Sequence, residues 1–109
     1  MNAEEIRNYV LEKNDVIESF PFGDNVLVFK IKGKIFLLLS LNEEALSLNV
    51  KCDPDKAVEL REDYPELIMP GYHMNKMHWN TVFPEALKKT LVTEMIDDSY
   101  DLVLKNNRK

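Results

Sequence analysis

The chain has 109 residues, 45% of them hydrophobic and 30% charged, a balance that fits a globular protein and excludes a collagen-like or wholly disordered one. Nineteen acids against 14 bases give a net charge of −5, which argues against a surface coated in nucleic-acid-binding charge but not against a local basic patch. One cysteine, Cys52, cannot form an internal disulfide, and a reducing cytoplasm is the simplest setting.

The first element reads as a helix. Asn2 and Glu5 have the spacing of a capping box, and Ile6, Tyr9 and Val10 share one helical face before Asn14-Asp15 ends the run. Residues 16–20 are a short strand stopped by Pro21 and Gly23. Residues 25–32 and 34–41 flank Gly33 and predict a β-hairpin. Its register is open. A two-residue turn at Lys32-Gly33 sets Phe29 opposite Phe36, and a three-residue turn sets Ile31 opposite Ile35. The second is preferred, because it gathers Leu27, Phe29, Ile31, Ile35, Leu37 and Leu39 on one face and leaves Lys30, Lys32 and Lys34 on the other. Residues 46–52 alternate as a further strand.

Asp53-Pro54 predicts an N-cap and first helical residue, with Ala57, Leu60 and Tyr64 facing inward and Pro65 closing the helix. Pro70-Gly71 introduces a second predicted hairpin, 72–74 with 77–83, turning at Asn75-Lys76. Pro84 opens a helix carrying Leu87, Leu91, Met95 and Ile96. Asp97-Asp98-Ser99 is expected to interrupt it and cap a final helix, with the tail 105–109 frayed. The order is α, three or four β, α, two β, α, α. It predicts one α+β domain over 1–109, with an antiparallel sheet covered by helices on one face.

Several chemistries have no support. No glycine-rich phosphate loop, zinc-ribbon cysteine pair or His-Glu helical metal motif occurs. The longest apolar run, 35–39, is five residues, far short of the ~20 that span a bilayer. The opening Asn2, Glu4 and Glu5 are unlike a basic signal-peptide start. A two-residue turn at Asn75-Lys76 would bring His73 and His78 together as cross-strand neighbours and pair Tyr72 with Trp79. The two imidazoles could then share a metal ion, with Cys52 as a third ligand. Two histidines do not close such a site, so the preferred reading is two strand histidines bonded to backbone or water. Cys52 lies near a helix start, where a thiol can be activated, but it reads better as a small buried residue at a strand end. No nucleophile, base and orienting group is legible, so the chain is expected not to be an enzyme and to carry no metal or cofactor.

Charge distribution says more. Residues 25–42 and 67–84 together hold four bases, Lys30, Lys32, Lys34 and Lys76, and no acid, whereas the remainder holds 10 bases and all 19 acids. Lysines on hairpins commonly serve to block edge-to-edge aggregation. The functional alternative is a pair of basic tips able to straddle a phosphate backbone.

The blocks Phe20-Pro21-Phe22-Gly23, Val28-Phe29-Lys30-Ile31, Gly33-Lys34-Ile35-Phe36 and Lys51-Cys52-Asp53-Pro54 resemble the MmcQ/YjbR family of small bacterial proteins. So do the blocks from Pro70 through Lys76, from His78 through Val82, and from Ser99 through Val103, all in family order. The resemblance implies a two-layer fold similar to type III secretion chaperones, α-β(3)-α-β(2)-α. It also implies DNA binding by a double wing of two hairpins, here 30–34 and 72–79. On that expectation Lys30, Lys32, Lys34 and Lys76 neutralise phosphates, and His73, Asn75, His78 and Asn80 offer hydrogen bonds, giving weak or sequence-tolerant DNA binding. The alternative is a protein-interaction adaptor that presents Val28, Phe36 and Leu38 on the lysine side of the sheet to a protein partner. A third possibility is a ligand site built from Cys52, Tyr72, His73, His78 and Trp79. No membrane partner is expected, and the oligomeric state is open with a monomer preferred.

Overall fold

A computed structural model describes residues 1–42, 44–71 and 74–106. Asn2 caps α1 (Ala3–Leu11) through the expected capping box, its side chain accepting from Glu5 N–H while Glu5 accepts from the Asn2 N–H. Four strands follow: β1 (Val16–Ser19), β2 (Val26–Ile31), β3 (Lys34–Ser40) and β4 (Ser47–Lys51). This is one strand more than the secretion-chaperone pattern implied. Asp53 then caps α2 (Pro54–Asp63), with Pro54 at its first position. The chain continues through β5 (Ile68–Pro70), β6 (Trp79–Val82), a 3-10 turn at Pro84–Ala86 and α3 (Lys89–Asn106). No helix among the described residues is long and apolar enough to cross a membrane.

The strands form one sheet in the order β1-β2-β3-β4-β6-β5, every neighbouring pair antiparallel. Cross-strand partners share a face, so two cross-strand rows define the sheet. Leu27, Leu39, Leu48, Val82 and Ile68 form a fully apolar row on the inner face. It packs with Ile6 and Val10 of α1, Ala57 and Leu60 of α2, and Val92, Met95, Ile96 and Val103 of α3. All three helices therefore cover one face. Ser19, Val28, Leu38, Asn49, Thr81 and Met69 form the matching row on the opposite, helix-free face.

The first hairpin combines both expected registers. Its turn is the two-residue one, with Lys32 at φ 53 and Gly33 at φ 78 and Ile31 opposite Lys34. Positive φ at both central residues is the twist that suits a tight hairpin. A β-bulge then shifts the ladder by one residue, so that Phe29 faces Leu37 and Leu27 faces Leu39. The extra residue is Phe36, which packs into the core edge-on to Tyr100 with ring centroids 5.4 Å apart. Alternation alone put Phe36 on the lysine side. The bulge puts it inside.

Two other expectations are corrected. α3 runs without a break through Asp97, Asp98 and Ser99, because two of these side chains are engaged in tertiary bonds rather than capping. Asp97 accepts from Tyr9 Oη at 2.7 Å and Lys13 Nζ at 2.5 Å. Ser99 Oγ donates to the Phe36 carbonyl at 2.5 Å and accepts from Lys51 N–H at 2.8 Å. β5 pairs with β6, Pro70 opposite Asn80, and the Asn75 carbonyl accepts from the N–H groups of His78 and Trp79, so the expected two-residue turn at Asn75-Lys76 does not form. Met77 and His78 belong to the connection between β5 and β6, not to a strand.

Candidate nucleic-acid interface

Antiparallel order decides where the basic residues go. β2 ends and β3 begins at the same end of the sheet where β4 ends, β6 begins and β5 ends. The Lys32-Gly33 turn and the described residues 74–78 between β5 and β6 therefore lie at one end. Three strand spacings separate their midlines, about 14 Å at the usual 4.8 Å per strand. Lys30 lies on the helix-free face between Ile17 and Ile35. Lys34 closes the turn opposite Ile31 and shares a cleft of about 180 Å³ with Ile35, Lys51, Val103 and Asn106. Lys32 is partly compensated, its Nζ standing 3.9 Å from the Asp15 carboxylate with both side chains exposed.

The second tip is braced from behind. The Asn75 carbonyl accepts from the N–H groups of His78 at 3.1 Å and Trp79 at 3.0 Å, and Asn75 Oδ1 accepts from Met77 N–H at 3.0 Å. The His78 carbonyl accepts from Cys52 N–H at 2.7 Å, tying the connection to the end of β4. Arg61 of α2 donates through Nη2 to the carbonyls of Lys76 and Trp79, the latter at 3.2 Å, and through Nε to Asn80 Oδ1 at 2.7 Å. Gly71 is required where β5 leaves the sheet: a Cβ there would stand 2.7 Å from Trp79 Cβ.

These contacts sort the expected binding residues. Lys30, Lys32, Lys34 and Lys76 come to one end of the sheet, and Lys76 is exposed. His78 is half-buried beside Lys76. Asn75 is exposed, but its side-chain oxygen already holds the turn. Asn80 is a correction: it faces the helices, is 1% exposed and binds Arg61, so it cannot reach a nucleic acid. Its Nδ2 is a buried side-chain atom without a partner among the described residues. His73 and Tyr72 lie outside the described residues, and with them the expected pairings to His78 and Trp79.

Two residues of this region were not among the binding residues expected from the sequence. Arg61 sits in an acidic helix beside Glu59, Glu62 and Asp63, where nothing distinguishes it from a solvated charge. Lys51 alternates with the inward Val50 and Cys52, which puts it on the helix-free face opposite Trp79. The alternation 48–52 already carried that signal.

The competing sites fare differently. Val28 and Phe36, two of the three apolar residues offered for a protein partner, are fully buried. Cys52 is buried, and burial, with Asp98 and Asp53 nearby, pushes its thiol up to about 11. That is the inert setting for a cysteine, not the activated one. A cleft of about 260 Å³ beside Cys52 is walled by side chains of α2 and α3, including Lys56, Asp98 and Leu102, and neither His78 nor Trp79 lines it. Burial and the neighbouring Glu94 raise the Asp98 carboxyl above the usual range. Among the described residues no three His, Cys, Asp or Glu side chains are grouped to hold a metal ion.

A family model described as YjbR matches residues 11–102. The uncharacterised protein YbdF of Escherichia coli O157:H7 is 42% identical over 102 residues, covering 93% of this chain and 83% of that protein. The uncharacterised protein YjbR of Escherichia coli K12 is 25% identical over 101 residues, covering 92% and 85%. Among solved structures, Deinococcus radiodurans protein DR2400, with a DUF419 domain, superimposes with a TM-score of 0.92 at 35% identity, covering 99% of this chain and 82% of that one. A Pseudomonas syringae protein superimposes with a TM-score of 0.78 at 26% identity, covering 94% and 99%.

Proposed function

The chain belongs to the YjbR family, and from that premise we propose that it is a non-enzymatic, sequence-tolerant DNA-binding protein that uses the lysine end of its sheet. The observation that supports this most is placement. In a chain of net charge −5, the two acid-poor segments project from the same end of one sheet. Their spacing of about 14 Å is comparable to the ~12 Å width of a major groove. The acid of the strands, Glu18, lies in the row of Phe29 on the helix side and is paired with Arg7 at 2.6 Å. Phosphate contacts fix position without reading sequence, so lysine-dominated tips give tolerance of sequence rather than selectivity.

The reading is tested by fluorescence anisotropy of labelled DNA against salt. About four phosphate contacts give a slope of log affinity on log salt near −3.6. Lys34→Gln and Lys76→Gln are each expected to reduce that slope by about 1, uniformly across sequences. Absence of binding at about 50 µM protein in low salt, where the electrostatic contribution is largest, ends the reading.

A further inference from the structure

We propose that the nucleic acid bound is single-stranded, lying across the helix-free face along the row of Lys30, Lys51 and Trp79. This rests on the DNA-binding reading and specifies its ligand. Lys30 is the cross-strand partner of Ile17 and Ile35, and Lys51 that of Trp79. Gly71 N–H donates to the Trp79 carbonyl at 2.8 Å, which extends the same row to the exit of β5. With one offset at the bulge, the residues Ile17, Lys30, Ile35, Lys51, Trp79 and Gly71 cross the whole sheet next to the two tips. Two strand spacings separate Lys30 from Lys51, about 10 Å, and Lys51 and Trp79 have the ~5 Å Cβ separation of direct cross-strand neighbours.

The chemistry of this face fits a single strand. None of its ladder residues is acidic. Behind the basic row lie neutral side chains, Ser19 and the buried pair Asn49 and Thr81, with Thr81 Oγ1 donating to Asn49 Oδ1 at 2.6 Å, so no carboxylate backs the row. The ladder residues of this face add no repulsion of phosphates in a chain that carries −5 overall. Trp79 is half-buried on this face beside a glycine, and an indole next to a cation offers a base the stacking that a paired duplex withholds.

Trp79 is the sole tryptophan, so the full chain reports directly. Its emission is followed while a thymidine 12-mer and a duplex of equal length are titrated at low salt, and affinities are measured for wild type, Lys51→Gln and Trp79→Leu. The expected result is quenching by the single strand, tighter binding of it than of the duplex, a single-strand salt slope about 0.7 smaller in Lys51→Gln, and at least about a fivefold affinity loss in Trp79→Leu. Lys51→Gln keeps the test decisive if the Trp79 variant folds poorly. DNA binding with unchanged emission and an unchanged slope in Lys51→Gln overturns the inference and leaves the two tips in place. No binding of either DNA ends the underlying reading as well.

Discussion

Ser99 donates its hydroxyl proton to the carbonyl of Phe36 across 2.5 Å, joining residues 63 positions apart in the chain at the bulge in β3. The same oxygen accepts from Lys51 N–H at 2.8 Å. A regular ladder would run directly from Lys51 to Phe36, but the extra residue leaves the two strands without that bond. The helix supplies a hydroxyl in its place, so neither backbone group is stranded in an apolar setting.

Ser99→Ala is therefore expected to cost about 2 kcal/mol, the penalty of leaving a buried donor and acceptor unpaired. Urea denaturation measures it. Helix content by far-ultraviolet dichroism stays at the wild-type level, because Ser99 is inside α3 and does not cap it. A drop in helicity without loss of stability contradicts this assignment.

Removing the brace on the second tip has a distinct signature. Arg61→Gln gives up three bonds and strands Asn80 Oδ1 in a side chain 1% exposed, for an expected loss of about 2 kcal/mol. The Trp79 emission maximum also moves to the red as the carbonyl of that residue is released. An unmoved spectrum and denaturation midpoint contradict the brace.

The first tip is improvable. Lys32 holds φ 53, a left-handed conformation that costs an ordinary side chain roughly 1 kcal/mol and that asparagine tolerates. Lys32→Asn is expected to stabilise the protein by about 0.5–1 kcal/mol in urea titration. Since Asp15 already offsets this lysine, the variant weakens DNA binding less than Lys34→Gln does.

Alkaline pH should unfold the protein earlier than its charge alone suggests. Burial first, with Asp98 and Asp53 adding to it, raises the Cys52 thiol from 9.0 to about 11. Burial and Asp97 raise the Tyr9 hydroxyl from 10.0 to about 12. In both cases the folded state keeps its proton longer than the unfolded state, so neither group opposes folding below about pH 9. Stability then declines from about pH 9 to about pH 12 as the unfolded state ionises first. Stability measured over that range tests the sign, and Cys52→Ala should remove the lower part of the decline.

Most elements were legible because local chemistry announced them. Asn2 with Glu5 and Asp53 with Pro54 mark helix starts, and the alternation of β2, β3 and β4 marks strands. What was not legible depended on distant partners. No local rule says that Asp97 and Ser99 are engaged by α1 and by the sheet and so leave α3 unbroken. A bulge at Phe36 depends on a helix able to repair it. Nor does any local rule say that Arg61 and Cys52 hold the carbonyls of Lys76 and His78 where a two-residue turn was expected. Asn80 is a different case. It shares the inward phase of Val82, and that two-residue alternation already placed it away from solvent.

β6 lies between β4 and β5 although it is made last of the three. β6 is thus the one strand that joins the hairpin it forms with β5 to the meander β1-β2-β3-β4. The separation of the two tips is therefore set by a single ladder, Leu48 to Lys51 against Val82 to Trp79, and anything that loosens that ladder moves one arm relative to the other.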